Sequence, residues 1–152
     1  MAVAVFNTRN VKGEVTFSNT PKGVRIHATF TQLPPGEHGF HIHRAGDLRG
    51  EGCKGACDHF HVGEAQNHGG PPGTPGQRHT GDLGNISMED GSDCVKSYYL
   101  AGIRVEELFG RSMIVHADKD DYGKGGEVDS LKTGHSGARI ACALIGRIIG
   151  CN

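Results

Sequence analysis

The sequence predicts an all-β domain, an antiparallel sandwich or closed barrel, and three observations carry that reading. Apolar and polar residues alternate with period two through much of the chain, which is the side-chain repeat of a strand. Turn-forming residues interrupt these runs at short spacing, at Asn10, 19–22, 34–36 and 90–92, leaving no room for the crossover helices of βαβ units. Only residues 104–109 could pass for a helical turn.

The elements follow in order. An apolar run over 2–7 ends at Asn7, Thr8, Arg9 and Asn10, and the next strand, 11–17, puts Val11, Gly13, Val15 and Phe17 on one face. Residues 24–30 repeat the pattern with Val24, Ile26, Ala28 and Phe30. In 39–43, Phe40 and Ile42 share the core face, so His41 and His43 share the opposite one, outside the core. Runs at 85–88, 94–100, 112–117 and 138–149 bring the total to about eight strands. The stretches 46–82 and 118–138 resist a strand reading. Both exceed the roughly 12–15 residues beyond which structureless loops are uncommon in compact domains. A disordered linker would lack fixed points, whereas the first of these loops carries Cys53, Cys57, His59, His61, His68 and His79, so it is read as stapled.

At 152 residues the chain fits one domain, 1–152, since a single core takes roughly 100–150 residues. Lys plus Arg number 16 against 17 Asp plus Glu, so no general attraction to nucleic acid is expected. No stretch approaches the ~18 apolar residues of a membrane span. The apolar start, Met1 to Phe6, is too short for a signal peptide's apolar region, and a cytoplasmic location is the expectation. Five cysteines (53, 57, 94, 142 and 151) exclude a fully paired framework and leave at least one free thiol.

Ten histidines demand a reason. An HxH pair in a strand is, by itself, equally well read as two solvated side chains. Context decides: His116 lies in another apolar run, and the long loop spaces out His59, His68, His79 and Asp82. Seven such nitrogen and oxygen ligands suit zinc or copper, and one ion needs only three or four, which favours two adjacent ions. The CxxxC of Cys53 and Cys57 has no second pair to complete a thiolate zinc site. GEGCKG at 50–55 matches a dinucleotide-binding pattern but lacks the strand before and helix after that the chemistry requires. Asn85, Ile86 and Ser87 form a glycosylation acceptor by pattern only.

The segments GFHIH (39–43), HGGP (68–71), RHTGDLGN (78–85), VH (115–116), DDYGKGG (120–126) and GARIAC (137–142) together resemble the copper-zinc superoxide dismutases, in family order across nearly the whole chain. The resemblance implies an eight-stranded Greek-key barrel and the dismutation of superoxide to oxygen and hydrogen peroxide. It implies copper on His41, His43, His59 and His116, and zinc on His59, His68, His79 and Asp82, with His59 bridging. Copper would be reduced by one superoxide and reoxidised by a second, while His59 releases copper, takes up a proton and passes it on. Asp120 matches a carboxylate that orients His41 and His68. Arg139 matches an arginine that receives the anion beside copper, and Lys124, Lys132 and Thr133 resemble the loop that shapes the channel's field. Such steering, for which this family is a known case, lets a protein of net charge −1 attract an anion. The likeness also pairs Cys53 with Cys142, against the general expectation of free thiols in the cytosol.

A homodimer is implied, through a patch corresponding to Phe109, Gly110, Ile145, Gly146 and Ile148, although Arg147 falls where an apolar residue is common. A copper chaperone is a further implied partner. A copper carrier on the same fold is the rival reading, but an exposed CxC pair is lacking. The sequence departs from the family in a longer loop between His59 and His79, in 93–107, and at His135, where asparagine is more common. His27, His38 and His61 are read as ordinary surface or core groups.

Overall fold

The computed structural model describes residues 1–151. Strands β1 (Ala2–Asn7), β2 (Lys12–Thr20) and β3 (Gly23–Gln32) form an antiparallel meander. Their alternation sends Val11, Val15, Phe17, Val24, Ile26, Ala28 and Phe30 to one interior, all fully buried. The chain then crosses to a second sheet with β4 (His38–His43) and β5 (Asp82–Ile86) before β6 (Cys94–Ala101) returns beside β3. That return is a Greek-key connection. Strands β7 (Ser112–His116) and β8 (Arg139–Leu144) extend the second sheet, and β9 (Gly146–Arg147) pairs with β1. The sheets run β6-β3-β2-β1-β9 and β5-β4-β7-β8, a sandwich of two antiparallel layers.

Between the layers lies one apolar core. The ring of Phe30 meets Phe40 edge-on at 5.4 Å between centroids and Phe6 at 5.5 Å, linking the layers. Such pairs contribute about 0.5–1.5 kcal/mol beyond their buried area.

The run at 138–149, expected to be one strand, is two. Ile145 is fully buried, donates its N–H to the Arg111 carbonyl and accepts from Gly110. It passes the chain from one sheet to the other, so β8 and β9 belong to different layers. The expected strand at 85–88 begins earlier, because Asp82 pairs with His41. The helical turn expected at 104–109 is a single 3-10 turn, Val105–Glu107, whose Glu107 carboxylate accepts the Arg104 N–H at 2.7 Å.

Both long loops lie on the outer face of the second sheet. Backbone bonds from Phe60 to Ile42, Arg44 to Asp58 and Ala45 to Ala56 hold the first, and Gly39 to Asp118 and Asp121 to Gly134 hold the second. Every residue of β4 is consequently buried, by the core on one face and by loops on the other. The first loop is also joined to β8 by the Cys53–Cys142 disulfide, with 6.2 Å between Cα atoms. The second contains one helical turn, α1 (Ser130–Thr133).

Candidate metal centre

Strand alternation places His41 and His43 on the loop-covered face of β4, and His116 follows on the neighbouring β7. His59 joins them through a bridge to His43. These rings are almost wholly buried, at 0 to 6% exposed, rather than solvated. Each has one nitrogen committed to the protein. His41 Nε2 meets Asp120 Oδ2 at 2.6 Å, His43 Nδ1 meets the Cys57 carbonyl at 2.9 Å, and His116 Nδ1 meets the Gly137 carbonyl at 3.2 Å. His59 Nδ1 meets Asp82 Oδ1 at 2.8 Å. The other four nitrogens, His41 Nδ1 and the Nε2 atoms of His43, His59 and His116, are buried without a hydrogen-bond partner. An unpartnered buried polar atom is costly. Here the four residues offer ligand atoms that lie within 4.8 Å of one another, which is the arrangement a cation would satisfy.

A second set meets the first at His59. Asp82 Oδ1 lies 2.8 Å from His59 Nδ1, 3.0 Å from His68 Nδ1 and 3.4 Å from His79 Nδ1, and the His59 and His68 nitrogens are 3.3 Å apart. Metal–donor bonds of about 2.0–2.1 Å in a tetrahedron put donors roughly 3.3 Å apart. These four spacings, 2.8 to 3.4 Å, are of the size a four-coordinate zinc site requires, and His59 turns one nitrogen to each cluster. The far oxygen of Asp82 is fixed by the N–H groups of His79 and Gly69 at 2.7 and 3.0 Å.

Asp120 spans both clusters, accepting from His41 and, at 2.8 Å, from His68 Nε2. It is held in turn by the Tyr122 N–H and by a reciprocal pair with Asn85. Arg139 donates to the carbonyls of Cys53, at 2.8 Å, and Cys57. Lys132 and Thr133 line a cavity of about 350 Å³ together with His59, His79 and Asp58. Lys124 lines a different hollow, with Tyr122 and Gly125.

Electrostatics favour metal-ready ligands in the first cluster, whereas at His68 burial is outweighed by the hydrogen bonds to Asp120 and Asp82, which raise it to about 9. Burial, then the charges of neighbouring imidazoles, holds His41 and His43 well below the ordinary value of 6.5. Burial likewise lowers His59, and takes His116 to about 4. Neutral imidazole is the form that binds metal. Burial tends to raise the Asp82 carboxyl, but hydrogen bonds from His59, His68 and His79 outweigh it and keep Asp82 ionised far below the usual carboxylate range.

Several supporting residues escape a reading by motif. Asn85 ties Asp120 in place, and Arg78 donates to the carbonyls of Gly70, Thr80 and Asp82, pinning the loop. His61 accepts the Thr80 N–H at 3.0 Å. A side chain at Gly134 would collide with Asp120 and His68. Arg78 and Asn85 both lie in the RHTGDLGN segment, so a signal was there, but their partners are backbone atoms that no spacing reveals.

Fold and site together define a sandwich metalloprotein with two imidazole-rich cation sites sharing one histidine. The chain belongs to the copper/zinc superoxide dismutase family, whose profile matches residues 11–145. It is 45% identical over 141 residues to a Cu-Zn superoxide dismutase of Paramecium bursaria Chlorella virus 1, covering 90% of this chain and 73% of the viral protein. It is 42% identical over 142 residues to Cu-Zn superoxide dismutase A of Xenopus laevis, covering 90% of each. Cu-Zn superoxide dismutase 2 of Mesembryanthemum crystallinum is 40% identical over 152 residues, covering 95% of this chain and 94% of that one. Among solved structures, the crystal structure of the clock protein EA4 superimposes with a TM-score of 0.86 at 38% identity, covering 97% of this chain and 94% of that one.

Proposed function

We propose that this chain catalyses the dismutation of superoxide, with two superoxide anions and two protons giving oxygen and hydrogen peroxide. The observation that carries the reading is the convergence of four unpartnered buried imidazole nitrogens beside a second group, His59, His68, His79 and Asp82, that shares His59. His41, His43, His59 and His116 would hold copper, and His59, His68, His79 and Asp82 zinc. Copper so bound supplies the one-electron exchange with superoxide, for which imidazole suits both oxidation states, while zinc does not change its own.

The chain's own groups do the rest. His59 has Nδ1 anchored in the zinc set, so Nε2 is the atom that takes up and hands on a proton. Asp120 fixes the orientation of His41 and His68 from one carboxylate, coupling the two sites mechanically. The Arg139 guanidinium, held by two carbonyls, keeps its charge and remaining donors available to an incoming anion. Lys132 and Thr133 line the cavity that reaches His59, and Lys124 acts from further off.

Residues 1–152 work as one domain. We place the protein in the cytoplasm, with a copper chaperone as a partner and a homodimer as the working form. Among the described residues, no helix is long and apolar enough to cross a membrane. Leu144, Ile148 and Ile149 offer exposed apolar surface for a second copy, and Phe109 is half-buried next to Gly110, whose N–H donates to the Ile145 carbonyl. Ile145 belongs to the core and contributes nothing to that surface. The experiment is superoxide decay in the metal-loaded protein and in Arg139→Ala. Loss of a charged donor should lower kcat/KM about 10- to 100-fold at unchanged metal content, and an unaffected rate would remove Arg139 from the reaction.

A further inference from the structure

The cavity that reaches His59 has one carboxylate in its lining and a second at the start of the turn that lines it, which is an unfavourable setting for an anionic substrate. Asp58 lines it directly, and Asp129 precedes the turn that carries Lys132 and Thr133. Each is met by a cation. Arg44 Nε lies 2.8 Å from Asp58 Oδ1, and His135 Nδ1 lies 2.6 Å from Asp129 Oδ1. The first pair is permanent, because a guanidinium does not lose its proton, whereas the second depends on an imidazole.

His135 is placed for this contact by backbone geometry. Asp129 stands at the start of α1 and Gly134 closes it in the left-handed region. His135 continues there with φ 54°, an uncommon conformation for a residue with a side chain. That turns the ring back across the helical turn to Asp129. The side chains of both residues remain about half exposed.

We propose that His135 is a positioning residue for the incoming anion: clasped to Asp129, it cancels that carboxylate's charge beside Lys132 and Thr133 and so sets how strongly the channel mouth draws superoxide. The proposal rests on the superoxide reading above. The charged groups acting on the ring are Asp129, Glu127 and Asp121, all acidic, with Lys132 as the cation on the turn itself. The hydrogen bond to Asp129, followed by those negative charges, raises His135 above its ordinary value and lowers Asp129. The clasp is thus closed on the acid side and opens as pH rises, leaving an uncompensated carboxylate that repels the substrate.

The test is kcat/KM for superoxide decay in the copper- and zinc-loaded protein from mildly acid to alkaline pH at low ionic strength, for the wild type, His135→Asn and Asp129→Asn. NMR titration of the His135 ring in the same proteins accompanies it. Asparagine tolerates the left-handed backbone, so His135→Asn keeps the fold. The wild type should lose about twofold through the titration of His135, the effect of one unit charge acting through water. His135→Asn should lack that step and sit at the lower rate throughout. Asp129→Asn should hold the higher rate at alkaline pH and shift the ring's titration downwards. A His135→Asn protein that keeps the wild-type step, or a ring that titrates identically with and without Asp129, overturns the proposal. Absence of catalysed decay in the wild type at every pH would instead overturn the functional reading, and the ring titration would still report on the clasp.

Discussion

Asp120 shows what a single side chain does in this site. Its carboxylate takes hydrogen bonds from one histidine of each cluster and from the Tyr122 N–H, while Asn85 holds the Asp120 backbone through its N–H and carbonyl. Asp120→Ala would free the rings of His41 and His68, and partners of this kind are worth about 10- to 100-fold in metal affinity. Competition with a chelator should therefore show zinc affinity reduced by that factor, and equal affinity in the variant would deny Asp120 its orienting role. That His41 and His43 share a face was legible in the sequence, because strand periodicity alone puts them there. Their burial was not, since it depends on loops 46–82 and 118–138 folding over that face. The roles of Asn85, Arg78 and His61 were equally hidden, because they act through hydrogen bonds to groups distant in sequence or on the backbone.

At the scale of elements, the second sheet supplies His41, His43, Asp82, His116 and Arg139, and the two long loops bring His59, His68, His79 and Asp120 over them. The Cys53–Cys142 bond closes a segment 89 residues apart in sequence, a span for which restriction of the unfolded chain corresponds to about 4–5 kcal/mol. Cys53 also presents the carbonyl that holds Arg139, so this link supports both fold and site. Denaturant unfolding with and without reductant should show a loss of stability of up to that size, and coincident curves would contradict it. The strand pattern was readable from alternation nearly throughout. The break at Ile145 was not, because a buried apolar residue inside an alternating run gives no sign that the chain changes sheets there. For the same reason an apolar position assigned by likeness to a dimer surface belongs to the core.

For the whole molecule, the ligand shell makes stability depend on pH in a defined direction. His116 titrates near 4 in the metal-free fold against an ordinary 6.5, and His41, His43 and His59 are lowered as well. Between those two values the unfolded chain binds more protons than the fold, so stability falls as pH drops through that window. His68 moves oppositely. Burial disfavours its charge, but hydrogen bonds to Asp120 and Asp82 prevail and raise it to about 9. Its contribution is complete below 6.5 and is lost as pH rises through about 9. The metal-free protein should accordingly melt at its highest temperature near pH 6.5, with a decline on the acid side. A melting temperature flat from 6.5 to 4 would contradict the burial argument. Metal on the His41, His43, His59 and His116 cluster should stay bound through that window and be released only as pH falls to about 4 and below, since these ligands remain neutral in the fold until then.

The central claim is that the two imidazole clusters sharing His59 hold a copper and a zinc ion and thereby remove superoxide. The most direct measurement is the decay of a superoxide pulse in the presence of the protein, with copper and zinc quantified on the same sample. One copper and one zinc per chain, together with decay that accelerates in proportion to protein and slows with added salt, is the predicted result. A chain carrying both metals in full, in which superoxide disappears no faster than in buffer, would contradict it.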